Sequence, residues 1–114
     1  MASTLPALKQ RIAQLVGTAS VSSSSPDWDM SNRPVINLLA EWFQQLGFRI
    51  HIQELANNKA NLIATYGQGE GGLVLAGHTD TVPFNKDRWT HDPFTLHEED
   101  DRWYGLGTAD MKSF

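Results

Sequence analysis

The chain has 114 residues, enough for one small domain, and 40% of them are hydrophobic, enough to bury a core. Its formal net charge of -4 argues against nucleic acid as a partner, because phosphate binding needs a basic surface. The sequence contains no cysteine, which excludes disulfides and thiolate metal sites. Any metal must therefore bind to histidine and carboxylate groups.

Neither a targeting segment nor a membrane segment is predicted. Residues 1–6 lack a basic region followed by an apolar stretch, so we expect no signal peptide. The longest apolar run, Leu73 to Ala76, is far too short to span a bilayer. These features favour a cytoplasmic enzyme segment without a membrane partner.

Two amphipathic helices are predicted in the first half of the chain. Ser3 or Thr4 is placed to cap the first, and Gly17 to end it. Pro34 opens the second helix, and Gly47 is expected to end it in a left-handed conformation. The apolar positions recur at helical spacing, Leu5, Leu8, Ile12, Leu15 and Val16 in the first helix and Val35, Leu38, Leu39, Trp42, Phe43 and Leu46 in the second.

Strand patterns and loops account for most of the remaining chain. Residues 18–30 include a serine tract and are predicted to be a loop that is free to move. Apolar and polar residues alternate over residues 48–53, which indicates a half-buried strand, and a second strand is predicted over residues 61–66. Leu73 to Ala76 is wholly apolar and is typical of a strand buried on both faces of an α/β sheet. Residues 102–104 form a further short strand pattern.

Three polar residues carry the chemistry that the sequence suggests. His78 follows the apolar run, and sites in open α/β sheets gather beyond the carboxyl ends of strands. Asp80 lies two residues on, so both side chains point the same way in an extended segment. A carboxylate in that place commonly accepts the second N–H of a metal-bound histidine. Asp110 lies in a glycine-flanked turn, where its carboxylate could reach the same metal or bridge two.

Each of these residues also has an ordinary alternative. A His-x-Asp sequence is common in surface turns, and an isolated Asp110 is more often a helix cap. The context favours a site, because an apolar strand precedes His78, Thr-Val-Pro follows Asp80, and Asp110 closes a Gly-x-Gly-x-x-Asp-Met-Lys motif.

Other polar residues are predicted to lie outside any metal or catalytic site. His51 alternates outward on its strand and should be exposed. His91 and His97 match no ligand position, and the acidic run from Glu98 to Asp101 is expected to be a solvated face.

Three motifs make the chain resemble the M20 family of metal-dependent amidohydrolases and peptidases. They are Leu-Ala-Gly-His-Thr-Asp-Thr-Val-Pro-Phe at 75–84, Arg-Trp-Thr with Asp-Pro-Phe at 88–94, and Tyr-Gly-Leu-Gly-Thr-Ala-Asp-Met-Lys at 104–112. The resemblance continues through the second helix. It implies part of a three-layer α/β metallopeptidase-like catalytic domain, with helices packed on a mixed sheet. Residues 1–114 would be its N-terminal segment, without the family's dimerisation domain.

The resemblance also implies roles for the three polar residues. His78 would be a metal ligand, Asp110 the carboxylate bridging two metals, and Asp80 the catalytic-site residue that orients His78. The metal would be Zn²⁺ or Co²⁺, with up to two ions in a complete enzyme. The family's Glu-Glu pair, which supplies the base, and its remaining ligands are not among residues 1–114. The motifs thus supply two ligands, and we expect this chain alone to be inactive.

The Gly-Leu-Gly-Thr-Ala form at 105–109 favours one branch of the family. That branch hydrolyses the amide of N2-acetyl-L-ornithine to L-ornithine and acetate in arginine biosynthesis. A succinyl-diaminopimelate desuccinylase is the alternative within the family. The implied partners are a small-molecule N-acylated amino acid and a second copy in a homodimer. A different class also stays open, namely a truncated, non-catalytic fragment acting at most as a weak metal-binding or interaction module.

The family also implies an unusual backbone at the bridging carboxylate. The peptide bond between Asp110 and Met111 should be cis in a complete, metal-loaded enzyme. For this chain on its own we expect a trans bond or disorder, since metals and downstream packing are needed to hold a cis form.

Overall fold

A computed structural model describes residues 5–114 and contains two helices and two β-hairpins joined by long irregular segments. The two hairpins are separate sheets, and each is antiparallel. Residues 86–88 form one 3₁₀ turn. The bounds of the elements are Leu8–Gly17 for α1, Arg33–Gln45 for α2, Arg49–Leu55 for β1, Lys59–Thr65 for β2, His97–Glu99 for β3 and Arg102–Tyr104 for β4.

The first predicted helix is present but begins later than expected. The Gln10 side chain accepts a hydrogen bond from the N–H of Ala7, at 3.3 Å, just before the first residue of α1. The predicted caps Ser3 and Thr4 lie outside the described residues. Gly17 is the last residue of α1, as predicted.

The second helix follows its prediction closely. Pro34 stands in its first turn, where a missing N–H costs no helical hydrogen bond. Gly47 has φ of 89°, the left-handed conformation predicted from its place after the apolar face. Helix boundaries were thus predictable here because proline and glycine constrain the backbone directly.

One hydrophobic core cluster joins the two helices. Leu15 from α1 is buried against Val35 and Trp42 from α2. Burying an aliphatic side chain contributes about 1.5–3 kcal/mol, so this cluster is what holds α1 to α2. The predicted apolar faces are wider than the buried ones, since Leu8 is 58% exposed and Leu46 is 41% exposed.

The β1–β2 hairpin confirms the alternation read from the sequence. Ile50 and Ile52 are half-buried, while His51 between them is exposed. The connecting turn places Asn57 and Asn58 at φ of 60° and 57°, a left-handed region that asparagine tolerates better than most residues. Helix α2 packs against both strands of this hairpin.

The prediction of a doubly buried strand at Leu73 to Ala76 is wrong for this structure. Leu73, Val74 and Leu75 are 84%, 87% and 73% exposed, and the segment belongs to neither sheet. An apolar strand is buried only where neighbouring strands and helices cover it. Within residues 5–114 no strand is paired with this segment.

The loop between the helices is also more ordered than predicted. Ser20 is 1% exposed and Val21 is 0% exposed, and Val21 forms a parallel bridge with Thr81. This single parallel bridge adds to the antiparallel hairpins. It also brings the start of the 18–30 loop beside the segment that carries His78.

Candidate metal centre

The structure brings together the three residues that the sequence singled out. His78 Nε2 lies 3.0 Å from Asp110 Oδ1, although 32 positions separate the two residues. His78 Nδ1 lies 3.2 Å from the backbone oxygen of Asp80 and 3.2 Å from its Oδ1 atom. The imidazole therefore has one carboxylate-bearing residue at each ring nitrogen.

The His78 segment is held in place by the buried start of the 18–30 loop. Ser20 Oγ donates a hydrogen bond to the Thr79 carbonyl at 2.6 Å, and Thr81 N–H donates to the Ser20 carbonyl at 3.0 Å. Ser22 N–H donates to the Thr81 carbonyl at 2.9 Å. These bonds fix the backbone on both sides of Asp80, so they orient the side chains of His78 and Asp80.

The Asp110 turn is held by the buried lysine that follows it. Lys112 is 6% exposed, and its Nζ donates to the carbonyls of Leu15 at 3.0 Å and Thr18 at 2.8 Å. Burial lowers the pKa of Lys112 to about 8. Its backbone N–H donates to the Gly107 carbonyl at 2.9 Å. The turn that carries Asp110 is thus tied to the carboxyl end of α1.

The peptide bond between Asp110 and Met111 is cis. The form implied by the resemblance for a complete enzyme is therefore present, and the expectation of a trans bond or disorder in this chain is wrong.

Two glycines let the segments of the site approach closely. Gly107 has φ of 89°, and a Cβ atom there would lie 2.9 Å from Thr81 Cγ2. A Cβ atom on Gly77 would lie 2.8 Å from Phe114 Cδ1. The absence of side chains at these positions lets the 105–114 segment pack against the 77–81 segment.

The charges around His78 favour its protonated form. Partial burial by itself lowers the pKa of His78, but the Asp80 carbonyl and the carboxylates of Asp80 and Asp110 outweigh it. The pKa of His78 therefore lies above its ordinary value.

The donor set at this point fits a zinc or cobalt ion. A neutral imidazole that donates from Nδ1 to Asp80 leaves Nε2 as an acceptor, and Nε2 faces the acceptor oxygen of Asp110. Two acceptors held this close need a proton or a metal cation between them. Imidazole nitrogen and carboxylate oxygen are ordinary ligands of Zn²⁺, and Asp80 is placed to fix the histidine tautomer.

The pair faces an open cleft of about 250 Å³. Trp89 and Thr81 line it together with the glycine-rich segment before Asp110. Thr81 Oγ1 is buried and has no hydrogen-bond partner among the described residues. The cleft thus adds the Trp89 side chain as an apolar wall beside the His–Asp pair, whereas the Thr81 hydroxyl is buried.

Sequence reasoning missed the residues that support the site. Ser20 and Lys112 reach across 59 and 97 positions of sequence to their partners, and no local pattern encodes such contacts. The only available signal for Lys112 was its place in the Asp-Met-Lys motif. His91 and His97, which match no ligand position of the family, gather with Glu99 elsewhere on the chain.

The fold of the chain resembles that of a protein whose structure has been solved. The structure superposes on the crystal structure of human carnosine dipeptidase 1 with a TM-score of 0.73 and 24% sequence identity. The match covers 92% of this chain and 25% of that protein. This confirms the predicted fold, a partial α/β metallopeptidase-like domain.

Sequence comparison gives the family. Residues 74–114 match the model of peptidase family M20/M25/M40. The chain is 53% identical over 110 residues to the acetylornithine deacetylase of Aliivibrio salmonicida, and 54% identical over 112 residues to that of Pasteurella multocida. Each match covers 96% of this chain and 29% of the relative, so the chain spans under a third of the length of these proteins. The family match over residues 74–114 and the similarity of nearly the whole chain to these relatives agree with the resemblance that its motifs indicate.

No helix among residues 5–114 is both long and apolar enough to cross a membrane.

Proposed function

We propose that this chain supplies part of the metal site of an enzyme that hydrolyses the amide of N2-acetyl-L-ornithine to L-ornithine and acetate. The observation that carries the proposal is the 3.0 Å approach of His78 Nε2 to Asp110 Oδ1, with Asp80 at the other ring nitrogen. In this proposal residues 1–114 are the N-terminal segment of the catalytic domain of a cytoplasmic homodimer.

The proposed roles of the residues come from the family resemblance, and their contacts support them. His78 and Asp110 would hold Zn²⁺ or Co²⁺, with Asp110 bridging where two ions bind. Such an ion supplies Lewis acidity and activates water for attack on an amide carbonyl. Asp80 would accept the Nδ1–H of His78, which leaves the Nε2 lone pair available to the ion. Lys112 and Ser20 hold the two segments at this separation.

The substrate is proposed from the relatives. The similar proteins from Aliivibrio salmonicida and Pasteurella multocida are acetylornithine deacetylases by name. This supports an N-acylated amino acid as substrate and a role in arginine biosynthesis. Another M20 deacylase, such as a succinyl-diaminopimelate desuccinylase, is the alternative against which the substrate must be tested.

A chimeric enzyme tests the proposal directly. The segment of the Aliivibrio salmonicida deacetylase that aligns with this chain is replaced by residues 1–114. Hydrolysis of N2-acetyl-L-ornithine and of N-succinyl-L,L-diaminopimelate is then measured with Zn²⁺ or Co²⁺. We expect turnover of the acetylated substrate. His78→Ala should lower this turnover by at least about a hundredfold, because removing a metal ligand should lower activity at least as much as removing a residue that hydrogen-bonds to that ligand.

Two results would contradict the proposal. A folded chimera without turnover of either substrate would reject the assignment of this chain to the metal site. Preferential turnover of the succinylated substrate would reject the acetyl specificity while keeping the metal site. The Asp80→Asn chimera should fall between the wild-type chimera and His78→Ala, at about 10–100-fold below wild type.

One observation favours the second candidate, a non-catalytic module. The family motifs place only His78 and Asp110 as ligands in residues 1–114, whereas a catalytic zinc uses about three protein ligands. We therefore expect the 114-residue chain by itself to leave N2-acetyl-L-ornithine intact with added Zn²⁺ or Co²⁺. Turnover that follows the chain through purification and disappears in His78→Ala would refute this expectation.

A further inference from the structure

A second group of metal-ligand side chains lies on the β3–β4 hairpin and the loop before it. His97 and Glu99 stand two residues apart on β3, so their side chains point to the same face of the strand. His91 reaches the same place from the preceding loop, and its ring stacks on that of His97 with centroids 3.6 Å apart. The family motifs use none of these three residues.

The ligand atoms of the group converge on one carboxylate oxygen. His97 Nε2 lies 3.3 Å from Glu99 Oε2, and His91 Nε2 lies 4.0 Å from the same oxygen. One ligand atom from each residue can be chosen so that all lie within 4.8 Å of one another. Zinc bonds of about 2.0–2.2 Å in a tetrahedral site place neighbouring ligand atoms about 3.3 Å apart. The His97–Glu99 pair already has this spacing, and His91 Nε2 must move closer to Glu99 Oε2 by under an ångström to match it.

We propose that His91, His97 and Glu99 form an accessory site for a divalent transition-metal ion such as Zn²⁺, separate from the His78–Asp110 pair. Two imidazole nitrogens and one carboxylate oxygen are a borderline-soft donor set, which suits Zn²⁺, Ni²⁺ or Cu²⁺ rather than Mg²⁺ or Ca²⁺. A water molecule would complete the coordination. The bound ion would join the 85–94 loop to the β3–β4 hairpin.

The surroundings allow the two rings to turn toward one ion. The planes of His91 and His97 are 26° apart, so the rings must open further before both Nε2 lone pairs face a shared point. Their side chains are 42% and 34% exposed, which means that rotation displaces few packed atoms. Glu98 belongs to a different contact, since it pairs with Lys9 on α1. Of the two neighbouring glutamates, Glu99 alone has its carboxylate beside the histidine rings.

Histidine ring NMR provides the test. Long-range ¹H–¹⁵N spectra of the 114-residue chain are recorded during titration with Zn²⁺, in a His78→Ala background that removes the other pair. We expect the Nε2 signals of His91 and His97 to shift together at one Zn²⁺ equivalent, while those of His51, exposed on β1, do not move. Mg²⁺ should produce no shift, because it prefers oxygen ligands.

Two glutamate variants provide the matched comparison. Glu99→Gln should weaken Zn²⁺ binding by at least about tenfold, because losing a metal ligand should lower the affinity at least as much as losing a residue that hydrogen-bonds to a ligand. Glu98→Gln changes the same chemical group one residue away and should leave the affinity unchanged. His91→Ala should weaken binding as Glu99→Gln does. Ring signals that stay fixed at saturating Zn²⁺, or equal affinities for Glu98→Gln and Glu99→Gln, would overturn the proposal.

Discussion

Lys112 Nζ donates a hydrogen bond to the Leu15 carbonyl at 3.0 Å, which ties the Asp110 turn to the last turn of α1. The same ammonium group reaches the Thr18 carbonyl at 2.8 Å. Carbonyls at the carboxyl end of a helix have no partner within the helix, and a cation there also interacts favourably with the helix dipole. Lys112 therefore joins the end of α1 to the turn that carries Asp110.

Replacing this lysine with an apolar residue of similar length should destabilise the chain. Lys112→Met removes the donor to two carbonyls, and hydrogen bonds to charged groups contribute about 1.5–3 kcal/mol each. Relief of the burial cost of the ammonium group offsets part of this, so we expect the free energy of unfolding to fall by about 1–3 kcal/mol. Urea denaturation measures it, with Lys86→Met on the exposed 3₁₀ turn as control. Equal midpoints for the two variants would show that the Lys112 contacts do not stabilise the fold.

Gly107 tests the close approach of the two site segments. Gly107→Ala places a methyl group 2.9 Å from Thr81 Cγ2 and 3.2 Å from Lys112 Cδ, at a backbone with φ of 89°. Gly71→Ala is the matched control, because Gly71 has φ of 77° but no atom within 4 Å of the added methyl group. Both carry the left-handed backbone cost of about 1–2 kcal/mol. Gly107→Ala should lose about 1–3 kcal/mol more, from the collision. Equal thermal midpoints for the two variants would contradict the packing described here.

Local signals explain what was predictable from the sequence. The apolar spacing of α2, its Pro34 start and the left-handed Gly47 each constrain the backbone within a few residues. His78, Asp80 and Asp110 were found because the family motif groups them, and the structure brings them together. The roles of His78 and Asp110 as ligands, and of Asp80 as the residue that orients His78, stay predictions.

What was not predictable depends on contacts distant in sequence. The burial of Ser20 and Val21 follows from pairing with residues 79–81, which a serine-rich loop sequence does not reveal. The apolar pattern at Leu73 to Ala76 records a preference for burial. It does not identify the element that would pack against this segment, and no strand among residues 5–114 pairs with it.

Asp29 provides a prediction about acid pH. Its carboxylate accepts hydrogen bonds at 2.9 Å from Ser23 N–H and from Lys59 Nζ, which hold the pKa of Asp29 below its ordinary value. A lowered folded-state pKa stabilises the fold above the unfolded pKa of about 3.9, and this contribution is lost as pH falls through the folded value. Asp29→Asn should therefore be less stable than wild type at pH about 6, with the difference shrinking below pH about 4.

Urea midpoints at several pH values check this dependence. Asp27→Asn, which changes an exposed carboxylate two residues away, is the control and should show a smaller difference from wild type at neutral pH. A stability difference for Asp29→Asn that grows on acidification would have the wrong sign and would contradict the role of the Lys59 and Ser23 contacts.

The uncovered apolar segment predicts self-association. Leu73, Val74 and Leu75 present adjacent apolar side chains to solvent, and contiguous exposed apolar surface favours association. We expect the apparent mass of the chain to rise with concentration in light scattering. Val74→Lys should reduce this rise without loss of helical circular dichroism, because Val74 is 87% exposed. Gln68→Lys adds the same charge in the polar connection nearby. Equal association by both lysine variants would place the contact elsewhere.

The central claim is that His78 and Asp110 together bind a metal ion, and the ring nitrogen signals of His78 test it most directly. Two ligands without a full coordination shell should bind weakly, so the 114-residue chain is titrated with Zn²⁺ into the millimolar range. We predict that the Nε2 signal of His78, which faces Asp110, shifts on binding, and that Asp110→Asn weakens the response by about tenfold or more. A His78 Nε2 signal that does not move at millimolar Zn²⁺, or that moves equally in Asp110→Asn, would contradict the assignment of this pair as the metal centre.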